Sequence, residues 1–565
     1  MNMVLPLFLR RMRLPLIVLI AAYAIAVAGF TVLPGVDDAG EPWRMSIFEA
    51  FYVVSYTGST IGFGEIPYEF SNAQRSWMVA SIYLTVFAWL FAVGTIISLL
   101  QDPAFREALR RARLQRSLGS FTEPFYIVCG YGDCGRMLVR SLHDMGRRMV
   151  VIDQDPANIE ALSLRDMGVN VPAFCMDAGT PDNLLAAGLQ HRWCVGVLAV
   201  TDAEETNLRI AIAARLLNTH VRVYARAREA ETEANMRSFG THGVVNPAVE
   251  FADRLELFMT APDSHRVLDW LSSLPGRPLP ERKPPPEGTW ILCGYGELGR
   301  AVYHALRRAE VAVVVVDPEP VAHDCPPGTI RGKGTEAATL EEAGIGSAAV
   351  VVAGTPDDAD NLSILMTARE MRPDLYQVAV ENRLDNRALF EALNAELLVR
   401  FSYIVTTRFL ASLSSPLIET FLDEARSQGN GWNRRLAERI HEVSQGMTPE
   451  NWSARVSERR TPALWLAHEA GEPVPLETLC SDPRDRDRAL DCVTLMLQRD
   501  GEDILLPGPE TELLPGDRLL FCGRHRALEL MARTVEDPAV VHYLRTGEER
   551  PDGWLWRALS RASGG

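Results

Sequence analysis

The sequence predicts an α-helical membrane part, followed by two α/β units with parallel sheets and a C-terminal α+β lobe. Three observations lead to this prediction. Leu14–Leu33 and Ser76–Leu100 contain no charged residue, and each is long enough to cross a hydrocarbon core of about 30 Å. A block of strand, glycine loop, helix, strand and acid occurs twice after them. The chain has 565 residues, which predicts roughly three or four domains.

Composition excludes some function classes. The formal net charge of −16 argues against a nucleic-acid partner, because such a partner requires a basic face. The nine cysteines show no paired CxxC spacing, and all lie after Leu100. Reduced, mostly buried thiols are expected for them. No metal-ligand set is apparent, so the metal content stays unknown.

Flanking charges orient the two apolar runs. Arginines lie before the first run and after the second, while the loop between the runs carries acidic residues, so both termini are expected in the cytoplasm. A cleaved signal peptide is the alternative, but the first run is longer than a typical signal core and no A-x-A-like site follows it. These residues are Arg10, Arg11, Arg13, Arg106, Arg110, Arg111, Arg113 and Arg116, with Asp37, Asp38 and Glu41 in the loop.

A short apolar segment lies between the runs. Met45–Gly58 is too short to cross the membrane and return, so a re-entrant half-helix is expected. Irregular backbone at membrane depth is tolerated where it is buried or lines a watery cavity. Thr60–Gly64 follows, with two glycines at alternate positions that let successive carbonyls point to one side. A ring of such carbonyls replaces the water around a potassium ion and requires four copies of the chain; an ordinary Gly-rich turn is the alternative.

Over Leu14–Leu100 the chain resembles two-transmembrane potassium channels. The match to their selectivity filter consists of Thr60, Ile61, Gly62, Phe63 and Gly64, with Ile for the commoner Val and Phe for the commoner Tyr. Ser59 and Glu65 replace the usual Thr and Asp, which leaves strict selectivity open. The resemblance implies a homotetramer in the bacterial inner membrane, with potassium as the permeant ion. Two residues keep two interpretations each: Glu49 as an acid behind the filter or in the outer vestibule, and Gly94 as a gating hinge or a packing position.

The cytoplasmic part contains two dinucleotide fingerprints, and an acid about 20 residues after each glycine loop completes the pattern. Gly294 lies 164 residues after Gly130, and Asp317 lies the same distance after Asp153. In each fingerprint the glycines provide a tight turn, close approach to phosphate and close helix packing. The helix N-terminus supplies free N–H groups, and the acid can bind ribose hydroxyls. The residues are Gly130, Gly132, Gly135 and Asp153, then Gly294, Gly296, Gly299 and Asp317.

These repeats resemble the RCK (KTN) family, also on Asp177–Thr180, Gly332–Thr335 and, in the C-terminal lobe, Leu514–Leu520. The resemblance implies a gating ring of eight RCK domains under a tetrameric pore, with NAD or ADP/ATP as ligand and calcium in some members. It places the nucleotide on the two fingerprints, with Asp177 near the adenosine of the first. At the second site Gly332 stands in place of Asp177 and Lys333 adds a positive charge, so the sites are expected to differ, or one to be empty.

Calcium has little support from the residues. The acidic segment used by one RCK branch is replaced by Arg226 and Arg228 in the first unit, and by Val380 and Asn382 in the second. The cluster Asp357, Asp358 and Asp360 is a divalent-ion site or, more simply, a solvated loop.

The predicted function is a nucleotide-gated potassium channel. The alternatives are a regulatory subunit of a potassium uptake system, and a membrane-anchored NAD-dependent enzyme, for which no catalytic domain is found. The predicted domains are 1–102 pore, 103–122 connector, 123–273 first RCK, 274–288 Pro-rich linker, 289–425 second RCK, 426–461 helical connector, 462–545 C-terminal lobe and 546–565 tail.

Overall fold

The computed structural model describes residues 4–102, 121–165, 171–279, 283–415 and 417–549, with a few isolated residues between them. Of the predicted connector 103–122, residues 103–120 lie almost wholly outside the described residues, as do 550–565 of the tail. The chain divides into two compact units, Met1–Phe121 and Thr122–Gly565.

The first unit consists of two long helices with a short helix between them. Two of its helices, α1 and α3, are long and apolar enough to cross a membrane by length and composition. Capping boxes start α2 and α3: Ser46 with Glu49 begins α2, and Ser71 with Gln74 begins α3. The elements are α1 (Val4–Val32), β1 (Gly35–Val36), β2 (Pro42–Trp43), α2 (Ile47–Gly58) and α3 (Asn72–Gln101).

Small residues bring these helices close together. A Cβ on Gly29 would lie 2.0 Å from the Trp77 ring, whose Nε1 donates to the carbonyl of Ala26 at 3.0 Å. This contact locks α1 against α3, so the two apolar helices pack as a pair. Gly94 differs, since a Cβ there would meet nothing within 4 Å in one chain; its packing interpretation has no support within the described residues of this unit.

The second unit begins with a six-stranded parallel sheet of order β5-β4-β3-β6-β7-β8. The strands are β3 (Phe125–Cys129), β4 (Arg148–Asp153), β5 (Ala173–Cys175), β6 (Cys194–Ala199), β7 (Arg222–Arg226) and β8 (Gly243–Val245). The helices are α4 (Asp133–Asp144), α5 (Pro156–Ser163), α6 (Pro181–Ala186), α7 (Glu204–Leu217), α8 (Ala230–Ser238), α9 (Pro247–Thr260) and α10 (Pro262–Ser272). This order confirms the first Rossmann-like unit.

A second parallel sheet repeats the same order, β11-β10-β9-β12-β13-β14. The strands are β9 (Trp290–Cys293), β10 (Val313–Asp317), β11 (Ile330–Arg331), β12 (Val350–Ala353), β13 (Tyr376–Glu381) and β14 (Leu397–Arg400). The helices are α11 (Glu297–Arg308), α12 (Ala337–Glu342), α13 (Asp358–Met371), α14 (Arg387–Leu393), α15 (Phe401–Ser414), α16 (Leu417–Ser427) and α17 (Asn430–Ser444).

The two sheets exchange the helices that follow them. Helix α9 follows the first sheet, yet its buried Phe251 and Leu255 join the core of the second. Helix α15 follows the second sheet, and its Val405 and Phe409 join the core of the first, where Phe409 meets the Tyr224 ring at 5.7 Å. Each α/β unit is therefore completed by the other within one chain.

The C-terminal lobe is built on an antiparallel sheet of order β15-β20-β18-β19. Its elements are β15 (Glu450–Arg455), α18 (Pro462–Glu469), α19 (Glu477–Cys480), β16 (Ser481–Asp482), β17 (Asp485–Ala489), β18 (Cys492–Arg499), β19 (Glu502–Leu505), β20 (Arg518–Gly523), α20 (His525–Glu536) and α21 (Pro538–Thr546). β15 pairs along its whole length with β20. Residues 450–455, which the sequence prediction assigned to the 426–461 connector, therefore belong to this sheet. Likewise Arg277 accepts from Thr448, so this part of the 274–288 linker is attached to the fold.

Candidate functional sites

The segment after α2 has an alternating backbone. Thr60, Gly62 and Gly64 have φ of 63°, 68° and 89°, whereas Ile61 and Phe63 have no positive φ. Positive φ is accessible to glycine, but for a β-branched residue such as Thr60 it is a genuine outlier. Alternation of this kind turns successive peptide groups so that their carbonyls can face one side. Ile61 and Phe63 are 61% and 58% exposed in the single chain, so this loop is not buried by its own chain.

Tyr56 of α2 holds both ends of this segment. Its main-chain carbonyl accepts the N–H of Ile61 at 2.9 Å, and its hydroxyl donates to the carbonyl of Gly64 at 2.5 Å. Its ring meets the Phe63 ring edge-on at 5.6 Å, and the Tyr56 side chain is buried. Sequence reasoning missed Tyr56; the available signal was an aromatic residue eight positions before Gly64 in the short helix.

Acidic residues on either side of the segment have defined partners. Glu65 forms a two-pronged ion pair with Arg75, with N–O distances of 2.8 and 3.0 Å, and also accepts the N–H of Phe70. The Arg75 guanidinium lowers the pKa of Glu65. Glu49 accepts the Ser46 N–H at 2.8 Å, which makes it a helix cap and gives it a role that neither sequence interpretation contained.

The two glycine loops have the same geometry at the carboxyl ends of β3 and β9. Gly130 and Gly294 have φ of 101° and 95°, so both turns require glycine. A Cβ on Gly135 or Gly299 would lie 2.0 Å from the carbonyl oxygen of Gly130 or Gly294, respectively. These contacts demonstrate the tight turn and the close helix packing that the sequence assigned to these glycines.

Gly132 and Gly296 occupy the N-caps of α4 and α11, with no side-chain cap. The first N–H groups of each helix are therefore available to an anion, and the helix dipole favours negative charge there. Neither glycine has a positive φ, so their role is to leave space. If Gly296 carried a Cβ, no described atom beyond its chain neighbours would lie within 4 Å of it.

The fingerprint acids close the glycine loops. Asp153 accepts the N–H groups of Tyr131 and Asp155 at 2.5 and 2.7 Å. In the second unit Asp317 accepts those of Tyr295 and Glu319 at 2.9 and 2.8 Å. The sequence assigned both acids to ribose alone. Asn158 Nδ2 also donates to Asp153 at 3.3 Å, and His323 Nδ1 lies 2.8 Å from Asp317 Oδ1. A carboxylate has about four lone-pair sites, so each acid keeps capacity for about one ribose hydroxyl.

The remaining loop residues have partners of their own. The carboxylate of Asp177 accepts the N–H of Gly179 at 2.8 Å, while Lys333 pairs with Asp360 at 3.0 Å, so the Lys333 charge is offset. Asp357 caps α13, and the buried Asp358 accepts from Asn382, Arg383 and Asn386. Across the described residues, no group of three His, Cys, Asp or Glu side chains could hold a metal ion.

Thiols near the glycine loops are poor nucleophiles. Burial raises the pKa of Cys134, in the first turn of α4, to about 11, and that of Cys293, which ends β9, to about 12. Both thiols are therefore protonated at neutral pH.

The family model of the TrkA-N domain matches residues 126–247 and 290–400. The two matched segments follow one another along the chain, one in each parallel sheet. Each match begins at or next to the first strand of its sheet, and together they include both glycine loops and both fingerprint acids.

Curated relatives extend the similarity to channels. Potassium channel protein 1 of Methanocaldococcus jannaschii is 24% identical over 234 residues, covering 41% of this chain and 67% of that protein. Probable potassium channel protein 2 of the same organism is 23% identical over 260 residues, covering 46% and 69%. An uncharacterized protein of Methanothermus fervidus is 26% identical over 218 residues, which span 39% of this chain but only 33% of that protein.

Two solved structures have similar length. The GsuK channel matches with a TM-score of 0.49 and 17% identity, covering 94% of this chain and 99% of that one. The GsuK channel bound to NAD matches with a TM-score of 0.45, the same identity and the same coverage.

The predicted resemblance to potassium channels with tandem TrkA-N domains is confirmed by these matches. The prediction that the chain is not an enzyme is confirmed as well, because the relatives with a named function reported above are channels. Together with the two apolar helices, they indicate a membrane protein.

Proposed function

We propose that the protein is a tetrameric potassium channel gated by nucleotides bound to its two TrkA-N domains. One observation carries the pore assignment: positive φ alternates at Thr60, Gly62 and Gly64, between two helices that are apolar enough to span a membrane. Four copies of such a segment around an axis form a ring of carbonyls that replaces the hydration shell of potassium.

The strain at Thr60 supports this function. A residue held in a sparsely populated backbone conformation costs about 1–3 kcal/mol, and such residues cluster at functional sites. Tyr56 holds the segment in this conformation from both ends. The Gly64 carbonyl is occupied by the Tyr56 hydroxyl, so we assign ion coordination to the carbonyls of residues 60–63 and place α2 as the pore helix behind them.

The proposed ligands are nucleotides of the NAD or ADP/ATP class. At the first site the phosphates lie on Gly130, Gly132 and Gly135, and Asp153 binds the ribose, with Asp177 near the adenosine. At the second site Gly294, Gly296, Gly299 and Asp317 have the same roles. The GsuK channel has been solved bound to NAD and bound to ADP, two ligands of this class.

Gating follows from differential binding. A ligand shifts the pore towards opening only by the free energy with which it prefers the open state to the closed one. In the proposed assembly, four chains contribute eight TrkA-N domains to a cytoplasmic ring, both termini are cytoplasmic, and the protein lies in the bacterial inner membrane.

Flux from purified protein in liposomes tests this proposal. We expect potassium flux well above sodium flux, and a change in potassium flux when NAD or ADP is added. In a separate experiment, the same fluxes are measured with calcium added and no nucleotide present. Equal potassium and sodium fluxes would refute the filter, and flux that is indifferent to every nucleotide would refute nucleotide gating.

A further inference from the structure

Besides Asp177 and Gly332, the two proposed nucleotide sites differ at two structurally equivalent positions. Asn207 donates to the carbonyl of Arg226 at 3.0 Å, and Asn361 donates to the carbonyl of Val380 at the same distance. Arg226 and Val380 are thus the same position in the two repeats, at the carboxyl end of the fifth strand of each sheet. The first site has a cation where the second has a methyl-bearing side chain.

A second equivalent pair differs in the same way. Thr201 and Thr355 each donate their N–H to the matching asparagine, Asn207 or Asn361, at 2.9 Å. The next residue is Asp202 in the first repeat and Pro356 in the second. The first site therefore has both members of an ion pair that the second site lacks.

This ion pair lies at the opening of the first glycine loop. Arg226 Nη1 is 3.2 Å from Asp202 Oδ1 and 3.9 Å from the sulfur of Cys134, in the first turn of α4. Asp202 Oδ2 lies 3.5 Å from the position of a Cβ on Gly132. The carboxylate thus faces the space that Gly132 leaves open, beside the helix N-terminus where an anion is favoured.

The two side chains of this ion pair differ in their exposure to solvent. The Arg226 side chain is only 15% exposed, whereas that of Asp202 is 88% exposed. The Nε of Arg226 is buried and finds no hydrogen-bond partner in the part of the chain that the structure describes, so the guanidinium has unused donor capacity. Because the Asp202 carboxylate is already largely in solvent, it loses little hydration in the pair, and an incoming phosphate replaces it as the partner of the guanidinium.

We propose that Arg226 is a phosphate-binding residue of the first site, and that Asp202 is an internal competitor that a phosphate displaces. The guanidinium then exchanges a carboxylate for a phosphate, the anion that it binds strongly in a two-pronged geometry. The first site consequently takes ligands with a diphosphate group, while the second has Val380 in place of this arginine and discriminates less by phosphate charge. This inference rests on the proposed nucleotide function and names the ligand class of one site.

The experiment measures ADP and adenosine binding to the purified full chain by equilibrium dialysis. The Gly296→Glu variant is used throughout, because its added carboxylate blocks the second site in open space. Arg226→Val, which installs the residue of the second repeat, is expected to weaken ADP binding about tenfold or more and to leave adenosine binding unchanged. Arg226→Gln keeps a polar side chain and replaces Arg226→Val in the binding measurement if the valine variant folds poorly.

Opposite signs for the two partners distinguish this proposal from a structural ion pair. Asp202→Asn is expected to tighten ADP binding about two- to fivefold, since the competitor is removed. The control Arg222→Val makes the same change at the start of the same strand, where Arg222 is exposed, and is expected to have no effect.

Each result is decisive. If Asp202→Asn and Arg226→Val weaken ADP binding equally, or if Arg226→Val and Arg226→Gln leave it unchanged, the proposal is overturned while the nucleotide function stands. If the chain with both loops intact binds no ADP, the proposed function itself fails.

Discussion

Replacement of Tyr56 by Phe tests the geometry of the proposed filter most directly. The change removes one hydroxyl, which donates to the Gly64 carbonyl at 2.5 Å, and keeps the ring that packs on Phe63. A typical hydrogen bond contributes a net of about 1 kcal/mol, so the proposed tetramer loses about 4 kcal/mol of filter stabilisation over four equal bonds. The energy per subunit corresponds to about a fivefold change in the population of the ordered segment.

The assay is potassium and sodium flux from liposomes. We expect Tyr56→Phe to lower the ratio of potassium to sodium flux several-fold, with little change in thermal stability or nucleotide binding. Tyr52→Phe is the matched control: Tyr52 lies one turn earlier, its ring also stacks on Phe63, and no hydrogen bond of its hydroxyl is found among the described residues. An unchanged flux ratio in Tyr56→Phe, or an equal fall in Tyr52→Phe, would refute the role of this hydrogen bond.

Three further predictions test other parts of the molecule. Gly132→Glu and Gly296→Glu avoid backbone strain, because neither glycine has a positive φ. Each is expected to halve the number of nucleotides bound per chain in equilibrium dialysis. An unchanged number would refute the assignment of a nucleotide site to that glycine loop. Glu65→Gln should lower the potassium-to-sodium flux ratio at neutral pH. Since its arginine partner lowers the pKa of Glu65, acidification should mimic the substitution only below the ordinary value of 4.5, and an effect near pH 6 would contradict this assignment. Phe409→Ala should cost about 3–5 kcal/mol and lower one shared unfolding transition of both α/β units in calorimetry; two separate transitions would argue against the helix exchange.

The fingerprint sites were largely predictable from the sequence because their backbone constraints are local. Gly130 must adopt a positive φ, and Gly135 must lack a Cβ, so the residue types reveal the turn and the packing directly. The acid Asp153 was placed correctly at the end of the second strand, but its bond to the Tyr131 N–H was not, since a hydrogen bond that closes a loop leaves no periodic signal.

Contacts between distant parts of the chain were not predictable in this way. The apolar faces of α9 and α15 show that each helix packs on something, but not that each packs on the other repeat's sheet. Glu49 shows a related limit: the pattern Ser46-x-x-Glu49 is a capping box, which the sequence contained and the functional interpretation passed over.

The two repeats separate the residues that build a site from those that select its ligand. Asn207 and Asn361 make the same bonds to the threonine N–H and to the fifth strand, and both glycine loops are closed by an aspartate. These bonds fix the backbone and are the same in both units. Two of the residues that differ, Arg226 and Asp202, lie at the opening, and neither side chain bonds to backbone among the described residues. If both proposed nucleotide sites are occupied, identical scaffolds present different charges to their ligands, and these few side chains set the difference in free energy that each ligand contributes to the proposed gating.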